Sequence, residues 1–170
     1  MSTEVYERIH GELKKCGVTL VASLPDDWMA PLIAKVDADN AIRHVPVARE
    51  AEATAICTGA FFGGVRSAAI MGATGLLTCT GDIGTLNLRH HIPVFCMVSQ
   101  RGSFDDHRVY QEIQGRRLHA VLQSFNYPFV VIDRVEDIAN IPDIYEACRL
   151  HKRPYIALFT RRLLKGPKSS

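Results

Sequence analysis

Residues 67 to 99, SAAIMGATGLLTCTGDIGTLNLRHHIPVFCMVS, decide the fold of this chain. They begin and end with short apolar segments, SAAIMG at 67–72 and IPVFCMVS at 92–99, whose length and composition are typical of buried strands. Between the two segments come a loop rich in Gly and Thr and a stretch over about 76–88 that has the length of a helix. Because parallel strands need a crossover connection, usually a helix, this stretch predicts an α/β fold.

The same alternation continues on both sides of this stretch. Further strands are predicted at VTLVASL (18–24), AIRHVPV (41–47), PFVVI (128–132) and PYIALFT (154–160), and helices over 4–16, 27–36, 49–62, 109–124 and 135–151. This order predicts a doubly wound, mainly parallel six-stranded sheet with helices on both faces. We expect one domain over residues 1–163 and a short tail over 164–170.

The composition argues against several classes of function. The 170 residues carry a formal net charge of +2, and no run of Lys or Arg suggests nucleic acid as a partner. The first 15 residues lack the apolar core of a signal peptide, and no uninterrupted apolar stretch is long enough to span a membrane. The five cysteines include no Cys-x-x-Cys pair, so we expect no metal site and free buried thiols, as in a cytoplasmic protein.

Polar residues cluster where the predicted strands end. In open α/β sheets, ligands bind at the carboxyl ends of the strands. The loops at those ends span residues 23–27, 47–50, 72–76 and 99–108, with 160–162 as a further candidate. The side chains that they bring together are those of Asp26, Asp27, Glu50, Thr74, Gln100, Arg101, Asp105, Asp106 and His107. This clustering is the first indication of a functional site.

Residues 49–64, REAEATAICTGAFFGG, place an acid at the start of a helix made mostly of small and apolar residues. A carboxylate with such neighbours is poorly solvated and tends to hold a proton near neutrality, as an acid–base group requires. Glu50 and Glu52 compete for this role, because residues two apart lie on different faces of a helix. Helix geometry leaves the choice open, and both could simply be first-turn acids favoured by the helix dipole.

Two other patterns are weaker. The segment MGATGLLTCTGDIGTLN, at 71–87, follows a strand and opens a helix as phosphate-binding turns do, but it lacks their glycine spacing and a Gly-Lys-Ser/Thr sequence. A tight turn that touches a ligand through its backbone is therefore favoured over a phosphate site. His90 and His91 point to opposite sides of an extended segment, so they cannot easily chelate one metal ion.

Four stretches of the chain resemble the pyrimidine-binding (PYR) domains of thiamine diphosphate-dependent enzymes. The resemblance is to the alpha subunits of sulfopyruvate decarboxylases and the matching part of phosphonopyruvate decarboxylases. The stretches are LPDDWMAPLI (24–33), REAEATAICTGAFFGG (49–64), GATGLLTCTGDIGTLNLRHHIPVFCMVSQRG (72–102) and SFDDHRVYQEIQGRRLHAVLQSFNYPFVVI (103–132). The match spans about residues 15–135.

The resemblance implies how the cofactor is bound. Glu50, with Glu52 and Ala53 completing the pattern, matches the acid that hydrogen-bonds N1′ of the aminopyrimidine ring in this family. This match decides between the two acids, and a carboxyl group that shares its proton suits the role. The other residues in cofactor-binding positions are Pro25, Thr74, Gly75 and Leu76.

The resemblance also implies which residues face the substrate. Asp27 is assigned to catalysis beside Glu50 and Asp26 to substrate binding, although either acid could be the substrate-facing one of related decarboxylases. The remaining residues assigned to substrate binding are Arg49, Arg101 and His107. The implied reaction is the decarboxylation of a 2-oxo acid, with sulfopyruvate giving sulfoacetaldehyde and carbon dioxide as the first choice.

A partner chain is a further implication of the resemblance. Such enzymes hold Mg²⁺ and the diphosphate group with a Gly-Asp-Gly motif and a downstream Asn, whereas GDIGTLN at 81–87 has the wrong spacing and lies in the matched helix. A beta subunit would therefore carry the diphosphate and Mg²⁺ site. Thiamine diphosphate would then span the interface of an α2β2 or larger assembly.

Three positions depart from the family pattern. Arg49 stands where Asn is usual, Gln111 where His is common, and Ala73-Thr74 where the family has Asn-Ser. Since Arg49 and Arg101 suit any dianionic substrate, phosphonopyruvate or another 2-oxo acid is an alternative. The departures also leave open a non-catalytic regulatory subunit with the same fold, and a flavodoxin-like nucleotide-binding module is a weaker alternative.

Overall fold

The computed structural model describes residues 2–103, 106 and 108–166, in which helices and strands alternate along the chain. The helices are Ser2–Lys15 (α1), Ala30–Ala38 (α2), Glu50–Phe62 (α3), Ala73–Ile83 (α4), Glu112–Ser124 (α5), Ile141–His151 (α6) and Arg161–Lys165 (α7). The strands are Leu20–Ser23 (β1), Arg43–Pro46 (β2), Ser67–Gly72 (β3), Val94–Ser99 (β4), Phe129–Ile132 (β5) and Pro154–Phe159 (β6).

All six strands form one parallel sheet, in the order β2-β1-β3-β4-β6-β5, which confirms the predicted fold class. Side chains alternate between two cores, as the two-residue period of a strand requires. On β3, for example, Ile70 packs into the core under α1, α2 and α6, while Met71 packs into the core under α3, α4 and α5. The helices therefore cover both faces of the sheet, and β4 is buried along its whole length.

Two helix boundaries differ from the sequence prediction. α4 begins directly at Ala73, where a loop was predicted up to about residue 76, because Ala73 and Leu76 are fully buried and hold the first turn against the sheet. α7 extends past residue 163 into the predicted tail, because Leu163 and Leu164 are buried in the core under α1. Tertiary packing outweighs local composition at both places.

Shorter helical segments complete the connections. A π-helical turn, Gly84–Leu88, continues α4, and 3₁₀ turns at Val109–Gln111 and Glu136–Asn140 precede α5 and α6. The side chain of Asn87 is buried in the π-helical turn and donates to Thr58 Oγ1 of α3 at 2.7 Å, which ties the two helices together. Within the described residues, no helix combines the length and the apolar character needed to cross a membrane.

The connectivity creates a crevice between β1 and β3. From β1 the chain crosses through α2 to β2 on one side, and it then returns through α3 to β3 on the other side of β1. α2 and α3 lie on opposite faces of the sheet, so the loops after β1 and β3 diverge at their carboxyl ends. Ligands of open α/β folds bind at such a switch point.

Candidate active site at the crevice between β1 and β3

The two first-turn acids of α3 have different surroundings. Glu52 is exposed, and its Oε2 accepts hydrogen bonds from the backbone N–H groups of Ala48 and Arg49 at 2.9 and 3.2 Å. It therefore satisfies the free donors at the start of the helix, as the N3 acid of a capping box does. Glu50 is half-buried, and in the described part of the chain no group donates a hydrogen bond to it. Glu50 is the acid that stays available for a ligand.

The carboxyl group of Glu50 lies against the first turn of α4. A Cβ atom built on Gly75 would come within 2.0 Å of Glu50 Oε1 and 2.2 Å of Glu50 Cδ, so only glycine leaves room for this side chain. The charge of Glu50 also reaches Cys79 one turn further along, where burial chiefly, and this charge in addition, raises the pKa of the thiol to about 12. Gly75, assigned to the cofactor from the sequence, thus contacts the proposed catalytic acid directly.

Asp26 occupies the other side of the crevice. Its Oδ1 accepts hydrogen bonds from the backbone N–H groups of Trp28 and Met29 at 3.0 and 3.1 Å. Its Oδ2 lies over the end of β3, because a Cβ built on Gly72 would be 2.8 Å from it and 3.7 Å from the hydroxyl of Ser99. Asp26 and Glu50 therefore approach the junction of β3 and α4 from opposite faces of the sheet.

Asp27 points elsewhere. Its Oδ2 forms an ion pair with Arg108 Nη2 at 2.9 Å, and both side chains are about half exposed. The backbone carbonyl of Asp27 accepts a hydrogen bond from Lys165 at 3.3 Å. The structure thus brings Asp26, rather than Asp27, to the crevice.

The remaining cofactor positions surround the same junction. Thr74 is exposed in the first turn of α4, and Leu76 is fully buried beneath it. Pro25 is exposed at the start of the loop after β1. Gly75 and Leu76 are helical rather than part of a loop, which corrects the local structure expected for them. Pro25 and Thr74 are the exposed residues among them, and Thr74 is the one whose side chain can form a hydrogen bond.

The predicted substrate residues do not all gather at the crevice. Arg49 is exposed next to Glu50 and lines an open groove of about 470 Å³ between α3 and the π-helical turn. Arg101 is 3% exposed and forms an ion pair with Asp106 at 3.0 Å, so its guanidinium is not displayed to a ligand as predicted. His107 lies outside the described residues. Arg49 is therefore the predicted substrate cation that the structure leaves exposed.

A hydrogen-bonded Ser-His-Asp line lies near the end of β1. Ser23 Oγ is 2.8 Å from His44 Nε2, and His44 Nδ1 is 2.7 Å from Asp37 Oδ1. These residue types form the triad of serine hydrolases, but Ser23 is 1% exposed and no substrate could reach its hydroxyl. The line instead links β1 to the edge strand β2 and to α2.

Two residues of the crevice carry no sequence signal that would have identified them. Ser99 ends β4 next to Gly72 in the sheet register, and its buried hydroxyl has no hydrogen-bond partner within the described residues. Trp28 is buried beside Asp26 and reads in the sequence as an ordinary core residue. The contacts that bring both to the crevice join distant parts of the chain.

The crevice fits the pyrimidine half of thiamine diphosphate. It offers a half-buried carboxyl group without a donor among the described residues, at Glu50, and an unpartnered buried hydroxyl, at Ser99. The side chains of Asp26 and Glu50 lie where a side chain at Gly72 or Gly75 would otherwise be. Groups of this kind can bind a flat ring with polar edges. Among residues 2–103, 106 and 108–166, no three His, Cys, Asp or Glu side chains are grouped so that they could hold a metal ion.

One solved structure has a similar fold. The 2-oxoglutarate:ferredoxin oxidoreductase of Magnetococcus marinus, solved with 2-oxoglutarate, coenzyme A and succinyl-CoA bound, aligns with a TM-score of 0.70 over 96% of this chain. The sequence identity is 16%, and the chain spans 29% of that protein's length. This likeness concerns the fold alone.

Sequence comparison adds closer relatives. No protein-family model matches the chain. It is 37% identical over 86 residues, 51% of its length, to the phosphonopyruvate decarboxylase of Streptomyces viridochromogenes, of which it covers 22%. It is 31% identical over 129 residues to the sulfopyruvate decarboxylase subunit alpha of Methanothermobacter thermautotrophicus, over 76% of this chain and 78% of that protein. On this identity and coverage, the chain belongs to the family of sulfopyruvate decarboxylase alpha subunits.

Proposed function

We propose that this chain is the alpha subunit of a heteromeric, thiamine diphosphate-dependent decarboxylase that converts sulfopyruvate to sulfoacetaldehyde and carbon dioxide. The observation that carries the proposal is the carboxyl group of Glu50, which lies on Gly75 at the crevice without a hydrogen-bond donor among the described residues. When bound, thiamine diphosphate would supply the nucleophilic carbon and the electron sink that decarboxylation of a 2-oxo acid requires.

Glu50 would handle the proton at the pyrimidine ring. Its position at the N-terminus of α3 and against α4 keeps the carboxyl group half out of water, and neighbours such as Ala53 offer no competing polar group. A carboxyl group in such a place can hold a proton at N1′ and release it when required. Glu52 is already occupied by the backbone at the start of the helix, so it does not compete.

Asp26 would face the substrate. It lies at the ends of β1 and β3, across the junction from Glu50, and its Oδ2 is directed at the space over Gly72. Arg49 is the exposed cation nearest in sequence to Glu50, and it would attract the sulfonate and carboxylate groups of a dianion. Thr74 and Ser99 would contribute hydroxyl groups at the same junction.

A beta subunit carrying Mg²⁺ and the diphosphate site would complete the enzyme, in an α2β2 or larger assembly. The relatives in methanogens are named as alpha subunits, which supports a partner chain. The groove lined by Arg49, Ala51, Ala55, Asp82 and Leu86 borders Glu50 and presents small residues that another backbone could approach closely. We therefore expect the partner on this side of α3.

Phosphonopyruvate is the alternative substrate. The relative from Streptomyces viridochromogenes is named a phosphonopyruvate decarboxylase, and it is 37% identical over the 86 residues that match. A phosphonate and a sulfonate differ little in shape, so the exposed Arg49 would serve both. A panel of 2-oxo acids offered to the assembled enzyme would separate these substrates.

Glu50→Gln tests the proposed role of the carboxyl group. Glutamine keeps the shape of the side chain but cannot exchange a proton, so we expect assembly with the beta subunit to persist and carbon dioxide release to fall about 10²- to 10⁴-fold. Glu52→Gln is the matched control in the same turn and should retain turnover. Wild-type turnover by Glu50→Gln, measured with the partner chain present, would exclude this mechanism.

A further inference from the structure

Arg101 and Asp106 form a buried ion pair behind the crevice. Arg101 Nε donates to Asp106 Oδ2 at 3.0 Å, and each side chain is 4% exposed. The same carboxyl group accepts hydrogen bonds from the backbone N–H groups of Gly102 and Arg108. Burial alone would raise the pKa of Asp106, but these hydrogen bonds outweigh it and hold the pKa below its usual value. The carboxyl group of Asp106 is therefore charged at neutral pH.

The guanidinium of Arg101 covers the ring of Trp28. The Cζ atom lies 3.9 Å from the ring centroid, which is the geometry of a cation–π contact. Trp28 is 4% exposed, and Arg101 Nη2 is buried without a hydrogen-bond partner among the described residues. The face of the Trp28 ring is thus a main contact of the guanidinium of Arg101 on the side of Nη2.

Trp28 in turn holds the carboxyl group of Asp26. The backbone N–H groups of Trp28 and Met29 both donate to Asp26 Oδ1. The hydroxyl of Tyr6 donates to the carbonyl of Trp28 at 2.7 Å and fixes the other side of that backbone. With Oδ1 held in this way, Oδ2 of Asp26 is directed over Gly72. A shift of Trp28 would therefore move the acid at the crevice.

We propose that Arg101 and Asp106 are positioning residues, which hold Asp26 in its working orientation by clamping Trp28, and that Arg101 is not a ligand of the substrate. The geometry of the clamp stands by itself, whereas its effect on turnover rests on the proposed function of Asp26. Arg101 is buried, paired with Asp106 and stacked on Trp28, and both contacts are lost if its guanidinium turns toward a substrate.

The test compares four single variants in the full-length chain. Asp106→Asn breaks the ion pair with little change of shape, Arg101→Met keeps much of the packing without the charge, and Arg101→Lys keeps the charge without the planar group that covers the ring. Arg116→Met is the control, since Arg116 forms an exposed ion pair with Glu112 on α5. Turnover is measured with the partner subunit, and the quenching of Trp28 fluorescence by acrylamide is measured in the isolated chain.

Trp28 is the one tryptophan of the sequence, so the fluorescence reports its surroundings alone. We expect acrylamide to quench Trp28 more strongly in Asp106→Asn and in both Arg101 variants than in the wild type. Quenching in Arg116→Met should equal that of the wild type. In turnover, kcat should fall about 10- to 100-fold while KM changes little, because the misplaced group acts in the chemical step. Arg101→Lys keeps the positive charge beside Asp106, so of the two Arg101 variants it is the less disruptive to folding. Cooperative thermal unfolding of this variant would show that its lower turnover does not come from a loss of structure.

A double-mutant cycle connects the clamp to Asp26. In an Asp26→Asn background, Asp106→Asn should lower kcat little further, because both changes act on the same carboxyl group. Full additivity would overturn the proposal. It would also be overturned if Arg101→Met raised KM alone while Asp106→Asn kept wild-type turnover and quenching, since Arg101 would then be a substrate ligand. If the wild-type chain together with its partner subunit decarboxylates no 2-oxo acid, the proposed function fails. The quenching comparison would still show whether Arg101 and Asp106 hold Trp28 in place.

Discussion

Gly102 and Gly115 touch through their backbones. A Cβ atom on Gly115 would come within 2.5 Å of the carbonyl oxygen of Gly102, and one on Gly102 within 2.2 Å of the carbonyl oxygen of Gln111. This contact seats the loop after β4 on the start of α5. Backbone atoms cannot rotate away as a flexible side chain does, so the contact leaves no space for a methyl group.

Gly115→Ala should therefore destabilise the protein. Overpacking of this kind costs about 1–3 kcal/mol, which corresponds to a fall in Tm of roughly 2–4 °C per kcal/mol in a protein of this size. Gly81→Ala in α4 is the matched control, because nothing lies within 4 Å of its added Cβ. Equal melting temperatures for the two variants, measured by circular dichroism, would contradict the contact.

Gly75→Ala should lower activity strongly and affect folding less. The new methyl group would occupy the place of the Glu50 carboxyl group, which must swing away from the crevice. We expect carbon dioxide release to fall about 10²-fold or more, as for a misplaced catalytic group. Gly81→Ala in the same helix again serves as the control and should turn over normally. An active Gly75→Ala enzyme would show that Glu50 is not held where the mechanism needs it.

Asp26→Asn and Asp27→Asn should separate the two neighbouring acids. Asp26 faces the crevice, so its loss should lower kcat about 10²- to 10⁴-fold. Asp27 forms an exposed ion pair with Arg108, and breaking such a pair costs at most about 1 kcal/mol of stability. Steady-state kinetics on the assembled enzyme decides the matter, and the opposite order of effects would restore the assignment made from the sequence.

The free energy of unfolding should fall steeply in alkaline solution. Burial raises the pKa of Cys16 and Cys148 from 9.0 to about 12, and that of Tyr6, Tyr127 and Tyr145 from 10.0 to about 12. Since the folded state holds these protons more tightly, their contribution is complete below pH 9 and is lost as the pH rises toward 12. Each such group costs roughly 1.4 kcal/mol per pH unit within its window.

Urea unfolding between pH 8 and 10.5 measures this loss. The Cys148→Ala variant removes one buried thiol and should show a shallower decline than the wild type above pH 9. A free energy of unfolding that stays constant over this range would contradict the burial of these groups.

The sheet could be predicted from the sequence because its strands are short apolar segments separated by helix-length stretches. SAAIMG at 67–72 coincides with β3 residue for residue. The start of α4 could not be predicted in this way, because Gly, Ala and Thr in 72–75 have the composition of a loop. Burial of Ala73 and Leu76 decides the matter, and burial is a property of the folded chain.

The sequence placed two candidate acids, Glu50 and Glu52, in the first turn of one helix, but helix geometry did not choose between them. Their difference depends on the folded chain, in which Glu52 accepts hydrogen bonds from the backbone and Glu50 lies against Gly75. The burial of Arg101 could not be predicted, because a charged residue in a polar stretch suggests exposure, whereas its partner Trp28 lies 73 positions earlier in the chain. A single sequence contains no signal for such a contact.

Asp26 and Glu50 reach one junction from opposite layers of the molecule. Under the proposed function, the acid that faces the substrate and the acid that serves the vitamin-derived coenzyme would thus stand on different helical layers. Substitutions around α2 would then change which anion is accepted without altering the helix that carries Glu50.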